Sequence, residues 1–240
     1  MFEPLTKQIK DSKKIVIVTG AGISKESGIP TFRGSNGLWR KYDPMKLATI
    51  DAFNQNPVLV WEWYEERRAN ILTAKPNAGH YAISELEKYK DVTVLTQNID
   101  GLHQRAGSKK VLELHGNIIR TKCTVCNFKE NLTGSFEILP PKCNCGNILR
   151  PDVVWFGEEL PHDVWREAVS QAQSCDLMLI VGTSLVVSPA NSLPLYAKQN
   201  GAKLIEINPE KTPISSEMNL SIRATSVESL PRLVDLVSFC

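Results

Sequence analysis

The chain has 240 residues, 42% of them apolar and 22% charged, with 28 basic residues against 26 acidic ones for a formal charge of +2. That profile fits a globular domain carrying a smaller excursion, and it excludes fibrous, low-complexity and disordered classes. The near-balance of charge leaves no global field to draw the protein onto nucleic acid or an anionic membrane, and no apolar stretch reaches the roughly 18 residues of a membrane span. The opening MFEPLTKQIK lacks the apolar segment of a signal peptide, so a cytoplasmic setting is expected, where six cysteines are metal ligands or free thiols before they are disulfides.

Near-continuous β-branched runs at 15–18 (IVIV), 92–95 (VTVL), 177–182 (LMLIVG) and 203–208 (KLIEIN) predict parallel strands covered on both faces. Residues 161–174 and 188–202 predict helices between them, the second closed by Gly201. This alternation implies an α/β fold, a Rossmann-like doubly wound parallel sheet with ligands at the carboxyl ends of its strands.

Two segments break the rhythm. Residues 40–90, rich in Trp, Glu and Arg, predict helices, with punctuation at Asn54 to Pro57 and a new start at Pro76 to His80. Residues 119–150 hold four cysteines, Pro140 and Pro141, and predict short strands and turns. Both read as insertions. Residues 1–39, 91–118 and 151–240 then build the larger, Rossmann-like domain, while the helical module 40–90 and the cysteine-bearing module 119–150 form the smaller one.

The stretch GAGISKESGIPTFRG (20–34) follows the first strand, but its glycines do not have G-x-G-x-x-G spacing. Gly20 and Gly22 allow a tight turn and the close approach of a phosphate to backbone N–H groups; alone, such a loop is equally a tight turn in a sheet protein. TQNIDGLHQRAG (96–107) follows the second strand, GTSLVVSPA (182–190) a later one, and Ile207 and Asn208 end the last, so these strand ends should border one crevice. ELHGN (113–117) carries His115, whose imidazole suits proton transfer near neutral pH, against the blander reading of a structural histidine.

Cys123 and Cys126 form a C-x-x-C pair, and Cys143 and Cys145 a C-x-C pair seventeen residues later. Two pairs on two turns predict four thiolates around one structural, closed, tetrahedral Zn2+. Cys175 and Cys240 read as buried filler and exposed tail.

The ordered set GAGIS…GIPTFRG, TQNIDGLH, HG, paired cysteines, PDVVWFGE and GTSLVVSPA resembles the sirtuins, NAD-dependent protein-lysine deacylases, from about residue 10 to 235. The resemblance implies that Gly20, Ala21, Gly22, Ile23 and Ser24 bind NAD so that the nicotinamide–ribose bond breaks. It makes Thr31, Phe32, Arg33 and Trp39 part of a mobile cover over the ribose and the leaving nicotinamide. It assigns Gln97, Asn98, Ile99 and Asp100 to the ribose and nicotinamide pocket, with Asn98 and Asp100 also at the catalytic centre, and Gly182, Thr183, Ser184 and Asn208 to the adenosine and phosphate side. Ser226 falls where the family has a small residue against the adenine. In the implied reaction the acyl-lysine amide oxygen attacks C1′ of the ribose, nicotinamide leaves, and His115 deprotonates a ribose hydroxyl; free lysine and O-acyl-ADP-ribose follow. The implied partner is an acyl-lysine protein or peptide, which the backbone of Val153, Val154, Trp155 and Phe156 would hold as an added strand. The sequence departs from the family at Asp152, where many relatives have glycine, and at the short C-x-C spacing.

Tyr64 and Arg67, three apart on a helical stretch, and Ala48 further upstream resemble the sirtuins that remove succinyl and malonyl groups, since an acidic acyl chain needs a cation, a hydroxyl and room. The competing reading is a solvated face in which Glu65 and Arg68 form an ordinary i,i+3 pair. Two other functions compete. One is mono-ADP-ribosyl transfer from the same pocket; the other is a nucleic-acid-binding zinc module using Lys109, Lys110, Arg120, Lys122, Lys129 and Lys142, which few aromatics accompany. With no coiled-coil seam, a monomer is the default.

Overall fold

The computed structural model describes residues 3–33, 37–132 and 134–238. Helix α1 (Glu3–Asp11) leads into strand β1 (Lys14–Thr19), followed by helices α2 (Pro44–Leu47), α3 (Ile50–Gln55), α4 (Pro57–Thr73) and α5 (Ala78–Leu86). Then come β2 (Asp91–Thr96), α6 (Leu102–Arg105), β3 (Val111–Glu113), β4 (Gly116–Cys123), β5 (Lys129–Asn131) and β6 (Leu149–Val153). The chain closes with α7 (His162–Ser174), β7 (Leu177–Val181), α8 (Leu193–Gln199), β8 (Lys203–Ile207), β9 (Leu220–Ile222) and α9 (Ser226–Ser238).

Six strands form one parallel sheet in the order β3-β2-β1-β7-β8-β9. Because strand side chains alternate, Ile15 and Ile17 of β1 join the core under α5 and α9, while Val16 and Val18 join the opposite core under α7 and α8. That double coverage is why the strands read as near-continuous apolar runs, broken internally only by Thr93 in β2 and Glu206 in β8 within the stretches read from sequence. β1 pairs with β2 on one side and β7 on the other, so the chain reverses its winding there and a crevice opens over the strand ends.

The second sheet is antiparallel, in the order β5-β4-β6, and α3 and α4 cover it. Helix α4 starts where Asn56 accepts a hydrogen bond from the Leu59 amide at 3.1 Å with Pro57 just inside, and the Trp61 indole fastens it to the Leu149 carbonyl at 2.8 Å.

Several expectations shift. Helix α5, expected within the helical module, packs with Ala82, Ile83 and Leu86 into the large-sheet core, because those three positions share one apolar face. The helix expected over 188–202 begins as a 3₁₀ turn, Ala190–Ser192, and α8 is capped at Asn200, with Gly201 one residue beyond. Cys175 is buried, as its apolar neighbours require. Gly34 and Cys240 lie outside the described residues. No helix among the described residues is long and apolar enough to cross a membrane.

Candidate functional site

A cleft of about 450 Å³ opens where β1, β2, β7 and β8 end, and the small sheet with α4 walls its far side. Its floor is made by glycine. The Gly20 amide donates to the Val181 carbonyl at 3.3 Å and the Gly22 amide to the Gly182 carbonyl at 2.8 Å. A Cβ at Gly22 would lie 2.6 Å from that carbonyl oxygen, and one at Gly182 would lie 2.6 Å from the Ile23 amide nitrogen. Gly182 also has φ of 57°, the left-handed region that favours glycine. These glycines therefore clasp the loops after β1 and β7 against each other, a packing role that the turn-and-phosphate reading missed.

Behind the floor runs a chain of buried hydrogen bonds. The Asn77 amide donates to His80 Nδ1, which leaves the proton on Nε2, 3.4 Å from the Ser24 hydroxyl. Ser24 accepts from Asn98 Nδ2 at 3.1 Å and donates to Asp100 Oδ2 at 2.7 Å. Burial raises the Asp100 pKa, opposed by the Leu102 amide and the Ser24 hydroxyl. A second line joins His103 Nε2 to Thr19 at 3.0 Å and Thr19 to Thr96 at 2.9 Å, and leaves His103 Nδ1 without a partner. The rings of His80 and His103 are 4.9 Å apart.

Asn98 reaches the cleft surface, while Ile23, Ser24 and Asp100 stand behind it. Gln97 donates its side-chain amide to Thr183 at 2.9 Å, and its carbonyl accepts from His115 Nδ1 at 2.9 Å. That bond puts the His115 proton on Nδ1 and leaves Nε2 as the basic lone pair. Burial pushes the His115 pKa down, the Gln97 carbonyl acting in the opposite sense, so the imidazole is neutral at pH 7. Asn208 and Ser226 border the same cleft, and the Ser226 hydroxyl is buried without a partner. Thr31, Phe32, Arg33, Trp39, Ile99 and Ser184 complete the expected cofactor lining.

Across the cleft, Ala48, Tyr64 and Arg67 meet Val153, Val154, Trp155 and Phe156. The Arg67 guanidinium lies 4.4 Å from the Trp63 ring centre, 5.1 Å from Phe32 and 5.6 Å from Tyr64. Its neighbour Arg68 forms the i,i+3 pair with Glu65 at 2.7 Å and donates to the Gly134 carbonyl. Among the described residues no carboxylate lies within ion-pair reach of Arg67. The helix therefore carries one arginine tied into the fold and one offered to the cleft.

The backbone expected to receive a peptide strand is largely spoken for. The amide of Val154 donates to the His115 carbonyl, that of Trp155 to Glu158 Oε2 and that of Phe156 to the Ala48 carbonyl. An added strand would find those three donors occupied, because the segment is already fastened on both sides. Asp152 is buried beside Arg120, Lys122 and Lys129, whose charges hold its carboxyl below the usual range against the opposing effect of burial. Three of the six basic residues expected as a nucleic-acid patch are thus spent on one aspartate.

In the small module the sulfurs of Cys123, Cys126, Cys143 and Cys145 all lie within 4.8 Å of one another. Cys123 and Cys145 are 3.5 Å apart and Cys126 and Cys143 3.6 Å, close to the roughly 3.8 Å between thiolates on a tetrahedral zinc. Backbone amides of Val125 and Cys126 point at Cys123 Sγ, as suits a thiolate. The short C-x-C spacing is met by a tight turn in which the Gly146 amide bonds the Cys143 carbonyl and Gly146 takes φ of 86°.

Sequence reasoning missed Lys25, Glu26, Trp63, Gly157, Glu210 and Lys211 at the cleft. Glu210 and Lys211 sit two and three residues past Asn208, close enough that the strand-end rule could have included them.

A parallel sheet of nucleotide-binding type, with a neutral imidazole in the crevice and a four-thiolate module beside it, defines the class. Within that class the chain belongs to the Sir2 family, the sirtuins, whose model matches residues 20–189. It is 53% identical over 230 residues to a protein of Caldanaerobacter subterraneus named NAD-dependent protein deacylase 1, covering 95% of each chain. An NAD-dependent protein deacylase of Aquifex aeolicus is 49% identical over 228 residues, covering 94% of this chain and 95% of that one. Among solved structures, a Sir2 homologue bound to NAD superposes with a TM-score of 0.95 at 46% identity, covering 100% of this chain and 94% of that one. Sir2 with a p53 peptide and NAD+ superposes at 0.89, with 36% identity and both chains fully covered at 100%.

Proposed function

We propose that this protein is an NAD-dependent protein-lysine deacylase whose cleft favours acyl groups ending in a carboxylate. The observation that carries the finer part is Arg67, a guanidinium walled by aromatic rings, with no carboxylate of its own beside the proposed acyl-lysine path. Desolvation pushes its pKa down, yet a guanidinium remains a cation at neutral pH, so an incoming anion recovers what burial cost.

NAD fits the cofactor half of the cleft on three observations of the chain itself. Glycine backbone forms the floor at the sheet's switch point, the buried Ser226 hydroxyl lacks a partner, and His115 offers a basic Nε2. NAD is consumed here as a co-substrate and supplies an ADP-ribosyl group as acyl acceptor. His115 takes a proton from a ribose hydroxyl, and the Gln97 carbonyl holds its ring in the tautomer that can do so. Asn98, tethered to the Gly20 carbonyl and Ser24, holds the ribose and nicotinamide side; Thr183 and Asn208 hold the adenosine side. Ala48 leaves room in the acyl pocket, and Tyr64 and Arg67 supply its polar end. The four cysteines hold one structural Zn2+, and the strand ends of the large sheet hold NAD while Ala48, Tyr64, Arg67 and residues 153–156 supply the acyl wall.

Mass spectrometry after incubation with NAD and equal amounts of acetyl-lysine and succinyl-lysine forms of one peptide tests this reading. Preferential loss of succinyl with O-succinyl-ADP-ribose is expected. Loss of acetyl alone would keep the deacylase and discard the acidic pocket, and loss of neither would discard both.

A further inference from the structure

We infer that Trp155 is a positioning residue for acyl specificity, acting through Tyr64 by aiming the phenol's single proton at the acyl group. The inference rests on the reading of Tyr64 and Arg67 as the acyl pocket. It comes from donor and acceptor accounting around one buried oxygen.

Tyr64 is 4% exposed and Trp155 3%, and the Trp155 indole Nε1–H lies 2.9 Å from the Tyr64 hydroxyl oxygen. An indole N–H only donates, so at this contact the phenol oxygen must accept. Its own proton then needs an acceptor elsewhere. The other hydrogen-bonding neighbour is the Arg67 guanidinium, which also only donates, while the Glu158 carboxylate acts on the phenol only through space and is itself taken by Arg150 and the Trp155 amide. Burial raises the Tyr64 pKa, so the proton stays on the oxygen across the neutral range. Two donors therefore leave the phenol proton a partner only on the cleft side, from the ligand. Arg67 asks for an acceptor as well, and a carboxylate, with about four lone-pair sites on two oxygens, can satisfy both groups at once.

The indole can direct that proton only if it cannot turn, and the fold grips it on several sides. The Arg150 guanidinium stacks 3.5 Å from the Trp155 ring centre. Arg150 is held bidentate by Glu158, at 2.6 Å and 2.9 Å, and Glu158 also accepts from the Trp155 amide at 2.8 Å. Phe53 closes another side, with ring centres 5.1 Å apart. The same segment that borders the acyl-lysine path thus fixes the direction of the hydroxyl in that path.

The test is a double-mutant cycle on Trp155→Phe and Tyr64→Phe, read as the ratio of kcat/KM for succinyl-lysine to acetyl-lysine forms of one peptide. Trp155→Phe keeps a ring and removes the donor, so the ratio is expected to fall about three- to tenfold, carried by KM for the succinyl peptide. Tyr64→Phe should lower it at least as far. Adding Trp155→Phe to Tyr64→Phe should lower it no further, whereas a general packing defect would act equally in both backgrounds. An unchanged ratio in Trp155→Phe, or an undiminished Trp155→Phe effect in the Tyr64→Phe background, overturns the inference while leaving the acidic pocket standing; an unchanged ratio in Tyr64→Phe overturns the inference and removes Tyr64 from that pocket. Failure of the unaltered protein to remove succinyl overturns both.

Discussion

Acid should loosen this protein through the two buried histidines behind the cleft. Burial holds the pKa of His80 down at about 4 and that of His103 at about 3, against 6.5 for an ordinary histidine. Between those limits the unfolded chain binds protons that the folded chain refuses, so stability present above pH 6.5 is lost as pH falls. Each group costs about 1.4 kcal/mol per pH unit below its unfolded pKa, hence about 2 kcal/mol by about pH 5. His103 is the cleaner probe, because its Nε2–H is committed to Thr19 and a proton added to Nδ1 would find no acceptor in the core. His103→Gln removes the titration and keeps a donor for Thr19. Urea unfolding at about pH 7.5 and about pH 5 should show the unaltered protein losing about 2 kcal/mol more than the variant across that interval. Zinc release, titration of His115 and the opposing raised carboxyl of Asp100 are common to both proteins and cancel, while His80, with its ring 4.9 Å from that of His103, is coupled to it and stays mostly neutral at about pH 5. Equal losses would refute the assignment of acid sensitivity to this buried imidazole.

Four further outcomes follow from the site. His115→Ala should abolish turnover while calorimetry shows NAD binding nearly intact; full activity would remove His115 from the chemistry. Arg67→Met should lower desuccinylation about 10- to 100-fold relative to deacetylation, the worth of a charge-assisted hydrogen bond, and an equal loss on both substrates would make Arg67 structural. Metal analysis should find about one zinc per chain and far less in Cys126→Ser, with a lower urea midpoint; full unfolding resistance without metal would sink the structural zinc. Gly22→Ala should weaken NAD binding several-fold with zinc content unchanged, since its Cβ would lie 2.6 Å from the Gly182 carbonyl. Unaltered affinity would mean the two loops part at no cost.

What was legible in the chain was whatever one window of sequence can carry. The four long strands announced themselves because burial on both faces makes them predominantly apolar. The paired cysteines did so because chelation by two turns demands short spacing. Strands β3 and β9 were missed because each is only three residues long and offers no pattern to count. Helix α9 was obscured by Pro231, a residue that argues against a helix interior. The buried network was invisible for another reason: Ser24 and His80 are 56 positions apart, as Tyr64 and Trp155 are 91 apart, and only tertiary packing joins them. Tyr64 and Arg67 show the limit most clearly. The spacing put them on one face and offered the Glu65–Arg68 pair as a rival reading; only the structure shows that the pair forms while Arg67 still reaches the cleft.

The clasp between the loops after β1 and β7 also constrains how the protein can recover from damage. A clash between two side chains can be relieved by trimming either, so a reversion screen returns second-site changes in the partner. Gly22 and Gly182 touch main chain to main chain, and neither has a side chain to shorten. Starting from Gly22→Ala, selection for restored activity should return the original glycine, or distant changes that move a whole loop, and nothing at position 182.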